Sequence, residues 1–271
     1  MNKTFIAAMD HSGGSSPGVL ERYGYPDAHE LPHEVVMDDI HLMRLRMVAH
    51  PDFNSNNISH AILYKDTVDR GMVPVLEKKG IRAILKIDSG CRPDGTLKDF
   101  DVRGMIDYAK LNGCVGTKMR SIVKTQYVLE DILHQQFSIA QEISNAQLMP
   151  IVEPEVPIDH LDKKNLEHFL KKKIGKYLKE FNGSVILKLT LPEDPDLYYD
   201  LNMYSTLNKI VGLSGGYTTE EACKRLGQNR EMTASFSRGL SEGLLVTQSD
   251  EEFNQRLAQN IKMIVEAGKD P

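Results

Sequence analysis

Short apolar runs alternate with amphipathic stretches along this chain, and the alternation repeats eight times. The runs are Phe5–Asp10, His60–Tyr64, Ile81–Asp88, Val115–Ser121, Met149–Val156, Ser184–Thr190, Lys209–Ser214 and Met232–Ser237. Most are rich in Val, Ile and Leu, as strands buried on both faces must be. Between them apolar residues recur at helical spacing: Val36, Ile40, Met43 and Met47; Val128, Ile132, Leu133, Phe137 and Ile143; Leu166, Leu170, Ile174, Tyr177 and Leu178; Phe253, Leu257, Ile261, Ile264 and Val265. Thr218 with Glu221 and Ser249 with Glu252 have capping-box spacing. Gly80, Gly113 and Gly183 stand before strands, where helix C-caps are expected. Only the interval from Lys65 to Gly80 is tight, with room for a short helix.

Eight strand–helix units joined by right-handed crossovers predict an α/β protein, a single-domain (β/α)8 TIM barrel over residues 1–271. A doubly wound open sheet is the alternative. Its dinucleotide fingerprint G-x-G-x-x-G is matched neither by Ser12-Gly13-Gly14 nor by Leu213-Ser214-Gly215-Gly216.

Charge and cysteine use narrow the function classes. A formal net charge of −5 gives no footprint for nucleic acid. The basic stretch from Lys163 to Lys179 reads as the wet face of a helix. Cys91, Cys114 and Cys223 show neither disulfide nor metal-ligand spacing, which predicts reduced thiols in the cytoplasm. No signal peptide, membrane anchor, metal or cofactor is expected. A homo-oligomer is compatible with the sequence but not specified by it.

Chemistry concentrates where the runs end. Lys86 and Asp88, Lys118 and Arg120, and Glu153 and Glu155 are i, i+2 pairs, so each pair projects to one side of its strand. In such a barrel the C-terminal mouth carries the active site. If the pairs face it, Asp10, Lys86, Asp88, Lys118, Arg120, Glu153, Glu155 and Lys188 converge there. Lys188, between Leu187 and Leu189, lies in the most apolar strand of the three lysine-bearing ones. A desolvated amine is the nucleophile that forms a Schiff base with a carbonyl, and desolvation with nearby cations such as Lys118 lowers a lysine pKa from about 10.4. Lys118, beside Arg120, suits a residue that stays charged. Crowding of Glu153 against Glu155 is expected to separate their pKa values into one acid and one base. After the last two runs, Ser214-Gly215-Gly216 and Ser237-Arg238 can form a backbone nest and a guanidinium clamp for phosphate.

These words resemble the class I, Schiff-base-forming fructose-bisphosphate aldolases, in particular their shorter bacterial branch. The resemblance rests on Ala7-Ala8-Met9-Asp10 with Ser12-Gly13-Gly14-Ser15, Leu85-Lys86-Ile87-Asp88, Gly116-Thr117-Lys118-Met119-Arg120-Ser121, Pro150 to Val156, Leu187-Lys188-Leu189-Thr190-Leu191-Pro192-Glu193, Leu213-Ser214-Gly215-Gly216 and Ser235-Phe236-Ser237-Arg238. They occur in family order over nearly the whole chain. The resemblance implies reversible cleavage of fructose 1,6-bisphosphate to dihydroxyacetone phosphate and glyceraldehyde 3-phosphate, without a metal. It implies that Lys188 forms the imine, Glu153 shuttles protons, Glu155 tunes the lysines, Asp10 handles the hydroxyl proton and Lys118 stabilises developing negative charge. It further implies that Ser214, Gly215 and Arg238 hold the phosphate on the dihydroxyacetone side, with Gly216 and Ser237 beside them. Ser12, Ser15 and Lys86 would hold the one on the aldehyde side, and Arg120 would also bind substrate. Four positions depart from the family's usual residues: His11, Gly18, Lys65 and Ser89. The stretch from Asp69 to Lys79 is also shortened. A Schiff-base aldolase for another phosphosugar and a non-catalytic barrel binding a phosphosugar or a protein are the alternatives.

Overall fold

A computed structural model describes residues 4–269. Among them the apolar runs form β1 (Phe5–Met9), β2 (Ile58–Leu63), β3 (Arg82–Lys86), β4 (Gly116–Ile122), β5 (Met149–Glu155), β6 (Val185–Thr190), β7 (Leu207–Leu213) and β8 (Met232–Ala234). Neighbours pair in parallel and in chain order from β1 to β8. The ring closes where the Ala8 N–H donates to the Phe236 carbonyl at 3.1 Å. The chain is a single-domain (β/α)8 barrel. β8 ends three residues before the run that predicted it, yet Ser235 still donates to the Gly212 carbonyl at 2.7 Å.

The outer layer is α1 (Ser16–Arg22), α2 (His33–Ala49), α3 (Lys65–Asp69), α4 (Met72–Glu77), α5 (Val102–Leu111), α6 (Leu129–Asn145), α7 (Lys163–Glu180), α8 (Thr219–Leu226), α9 (Arg238–Ser241) and α10 (Asp250–Ala267). The tight interval after β2 holds two short helices, broken at Gly71, whose φ is +81°. Gly113 follows the C-cap of α5 with φ +74°, a left-handed turn that glycine adopts without a Cβ penalty. Ser249 and Glu252 complete a reciprocal capping box at α10. At α8 only half of the expected box forms: Thr218 Oγ1 accepts from the Glu221 N–H, but the Glu221 carboxylate turns to Arg225 Nε at 2.7 Å. The basic run on α7 is mostly a wet face. Lys163 is the exception, buried with Glu167 at 2.7 Å and Glu193 at 3.0 Å. Among the described residues no helix is long and apolar enough to cross a membrane.

Alternation along the strands divides the apolar residues into two cores. Outward residues such as Leu85, Val152, Leu187 and Leu189 pack with the helices. Inward residues Ile6, Ala8, Ile62, Ile84, Ile151, Ile186 and Val211 form a separate plug inside the barrel. Each fully buried isoleucine contributes roughly 1.5–3 kcal/mol relative to exposure. This dry plug is the floor on which the polar site stands.

Candidate active site

The side chains above the floor are set by period two. Lys86 follows Ile84, Glu153 follows Ile151 and Lys188 follows Ile186, each two residues further along its strand and therefore on the same inward face, and Asp10 follows Ala8 just past the end of β1. Register then places them laterally: Lys86 stands opposite Lys118, and Arg120 opposite Glu153.

Four of these groups make one line of alternating charge. Lys118 Nζ lies 2.6 Å from Asp10 Oδ2 and 3.1 Å from Glu153 Oε2, and Lys188 Nζ lies 3.3 Å from Glu153 Oε1. Lys118, Glu153 and Lys188 are only 2%, 3% and 4% exposed. Burial alone would push the Asp10 carboxyl up, but Lys118 and then Lys188 outweigh it and hold the acid far below the usual carboxylate range. The same contest runs at Glu153, where burial is overcome by Lys118, Lys188 and Arg120 and the net direction is down. Burial works against charge at Lys118 too, yet Asp10, Glu153 and Asp88 raise its pKa above the ordinary lysine value. Lys118 thus stays a cation, as its setting in the sequence implied.

The expected crowding of Glu153 against Glu155 does not occur. Glu153 meets the two lysines, whereas Glu155 Oε2 accepts from Arg120 Nε at 2.5 Å. Different cations take up the two carboxylates, and Glu153 is lowered rather than raised. Asp88 ties the next pair together: Lys86 Nζ is 3.3 Å from its carboxylate, which also accepts the N–H groups of Gly90 at 3.0 Å and Arg120 at 3.2 Å. Lys86 donates to Ser12 Oγ at 2.9 Å, and Ser15 Oγ folds back to the Ser12 carbonyl at 2.9 Å.

All the expected site residues except Gly216 line one cavity of about 960 Å³. Ser214, Gly215, Ser237 and Arg238, after β7 and β8, line the same cavity as Lys86. Gly215 and Gly216 have φ +60° and +121°, and a Cβ on Gly216 would meet Arg238 Nη1 at 3.2 Å. Gly216 therefore acts from behind the wall, as space for the guanidinium. Among the described residues no group of three or more His, Cys, Asp and Glu side chains is disposed to hold a metal ion.

Three further residues shape the site without having been singled out in the sequence. Gln136 on α6 is fully buried; its Oε1 accepts from the Glu153 N–H at 3.0 Å and its Nε2 donates to the Glu153 carbonyl at 3.3 Å. Its place on the apolar face, beside Ile132, Leu133 and Phe137, was the available signal. Arg44, buried on α2, donates to the His11 carbonyl at 2.9 Å and to Thr67 Oγ1. Arg22 on α1 also reaches the cavity.

His11 is half-buried, 3.1 Å from Ser237 Oγ through Nε2. Burial, reinforced by Arg44, Arg22 and Arg238 against the pull of Asp10, pushes its pKa down to about 4. The imidazole is accordingly neutral at pH 7. Its ring-proton NMR shifts are expected to titrate with a midpoint near 4. A midpoint near the ordinary 6.5 would contradict the cationic wall around it.

No protein-family model matches the sequence. Solved structures do. A fructose-bisphosphate aldolase from Plasmodium falciparum matches with TM-score 0.78 and 19% identity, over 99% of this chain and 91% of that one. An archaeal fructose 1,6-bisphosphate aldolase matches with TM-score 0.59 and 10% identity, over 98% and 94%. An archaeal fructose-1,6-bisphosphate aldolase whose catalytic lysine is covalently bound to the carbinolamine intermediate matches with TM-score 0.55 and 11% identity, over 96% and 94%. Over nearly its whole length the chain shares its (β/α)8 fold with Schiff-base-forming fructose-bisphosphate aldolases.

Proposed function

We propose that the protein is a class I aldolase that reversibly cleaves fructose 1,6-bisphosphate to dihydroxyacetone phosphate and glyceraldehyde 3-phosphate, a reaction of glycolysis and gluconeogenesis. The observation that carries this reading is the buried Lys188–Glu153 pair, 3.3 Å apart inside the cavity. The amine must lose a proton before it attacks, and Glu153 is the acceptor beside it. Attack on the ketone carbon gives a carbinolamine; Glu153 returns the proton to the departing hydroxyl and an iminium remains on Lys188. That cation is the electron sink for breaking the carbon–carbon bond, leaving an enamine rather than a free carbanion. Asp10 takes the hydroxyl proton as the bond breaks. Its strong tie to Lys118 makes it a weak base until the incoming hydroxyl competes for that contact. Lys118, held charged, supports negative charge that develops nearby.

Ser214, Gly215 and Arg238 fit one phosphate, with Gly216 and Ser237 adjoining, and Lys86, Ser12 and Ser15 fit the other. Arg120 is fixed by Glu155, so in this reading Glu155 acts through the guanidinium rather than on a lysine. The shorter bacterial branch and a cytoplasmic location belong to the same proposal. Borohydride reduction in the presence of dihydroxyacetone phosphate is expected to inactivate the protein irreversibly with one adduct per chain. Cleavage is expected to favour fructose 1,6-bisphosphate over fructose 1-phosphate. Equal turnover of the two would assign the chain to another phosphosugar, and no adduct would leave a non-catalytic phosphosugar-binding barrel.

A further inference from the structure

Several arginines of this chain are matched with carboxylates. Arg46 meets Asp250, Arg70 meets Asp38 and Asp66, Arg120 meets Glu155, and Arg225 meets Glu193 and Glu221. Arg22 and Arg238 are the contrast. Both reach the cavity, from α1 and α9 on either side of the seam where β1 meets β8. Among the described residues neither guanidinium has an ion pair or a hydrogen bond. Burial and then the charge of Arg238 lower the Arg22 pKa, with Glu21 pulling the other way. His11, which feels both arginines, supplies no negative charge to either.

Two like charges held together without a partner raise each other's energy, and an anion between them reverses the sign. The local backbone suits that anion. Gly215 and Gly216 are in positive-φ conformations in which successive N–H groups can converge. On the other side, the Arg22 guanidinium passes Gly18. Gly18 is one helical turn before Arg22, and a Cβ built there would have only Arg22 Nη1 within 4 Å, at 3.8 Å. The exposed Arg22 side chain thus has no side chain from residue 18 beside it.

We propose that Arg22 is a specificity-determining residue: with Arg238 it makes a two-guanidinium seat for a dianionic phosphate ester, and it selects phosphorylated over unphosphorylated ketones. The idea rests on the aldolase reading for its substrate class, but its anion chemistry does not. Forked donors match phosphate oxygens, and a charge-assisted contact of this kind outweighs a neutral one.

The test uses Arg22→Gln and Arg22→Lys in the full chain. Borohydride trapping is measured against concentration of dihydroxyacetone phosphate and, separately, of dihydroxyacetone. In Arg22→Gln the half-saturating concentration of the phosphate ester is expected to rise about tenfold or more. That of dihydroxyacetone stays unchanged, and Arg22→Lys falls between. An unchanged value for the ester, or equal rises for both ketones, overturns the assignment. Calorimetric titration with inorganic phosphate separates this proposal from the aldolase reading. Should the wild type give no adduct at all, the imine chemistry fails, yet weaker phosphate binding by Arg22→Gln still upholds the seat. Unchanged phosphate binding removes it.

Discussion

Lys188→Met is expected to give a folded protein that borohydride no longer couples to dihydroxyacetone phosphate, with cleavage reduced to background. The expectation rests on the setting of this amine. Lys188 is 4% exposed, and its neighbours Leu187 and Leu189 are fully buried on the outer face of β6. Methionine preserves most of the apolar volume of the stem, so the strand keeps its packing. The substitution does not orphan Glu153, whose other oxygen remains 3.1 Å from Lys118. A wild-type circular dichroism spectrum together with lost trapping therefore separates chemistry from folding. Glu153→Gln should retain slow trapping while kcat falls by roughly 10²–10⁴, the usual worth of a positioned acid–base group. Full activity in either variant would remove these groups from the reaction.

Lys118→Met is expected to have the largest effect on stability. Its ammonium is buried between Asp10 at 2.6 Å and Glu153 at 3.1 Å, and removing it strands the Asp10 carboxylate in a dry layer and leaves Glu153 only Lys188, at 3.3 Å. Breaking a buried pair in this way costs about 3–5 kcal/mol. The sign with pH follows from linkage. In the wild type the folded Asp10 pKa is depressed, so its contribution is fully present above the unfolded value of about 3.9 and is lost as pH falls through the folded value. In the variant the largest attraction on Asp10 is gone and burial raises its carboxyl instead. A raised acid makes the folded state bind more protons, so stability falls as pH rises above about 4. Thermal melts of Lys118→Met should therefore show a Tm that declines from pH 5 to 8, while these groups leave the wild type flat over that range. A variant as stable as the wild type at neutral pH, without that slope, would contradict the charge line.

The barrel was legible because its signal is periodic and local. Buried parallel strands cannot alternate polar with apolar residues, so each run stood out, and a lysine inside one, such as Lys188 in Val185–Thr190, had to point somewhere exceptional. The i, i+2 pairs were legible for the same reason, since alternation alone puts Glu153 and Glu155 on one face. Partnership between strands was not. Glu153 and Glu155 looked like a crowded pair in sequence, but Lys118 and Lys188 reach one, and the Arg120 side chain, whose Cα stands opposite Glu153, reaches the other. Gln136 and Arg44 lay hidden within helix faces whose apolar pattern was otherwise complete, because a buried polar residue there announces itself only through a distant partner. Lys163 was read as part of a solvated run for the reverse reason: its carboxylates come from Glu167, one turn on, and from Glu193, beyond β6. Arg22 differs again, for its meaning depends on Arg238, a residue at the opposite end of the chain.

The claim on which the functional reading depends is that one amine, at residue 188, forms the covalent bond to the substrate. Its most direct test is borohydride reduction with dihydroxyacetone phosphate, followed by proteolysis and mass spectrometry of the modified peptide. The expected result is a single adduct on Lys188, with Lys86 and Lys118 unmodified. An adduct on either of those lysines, or an unmodified protein after complete exposure to ketone and reductant, would contradict it.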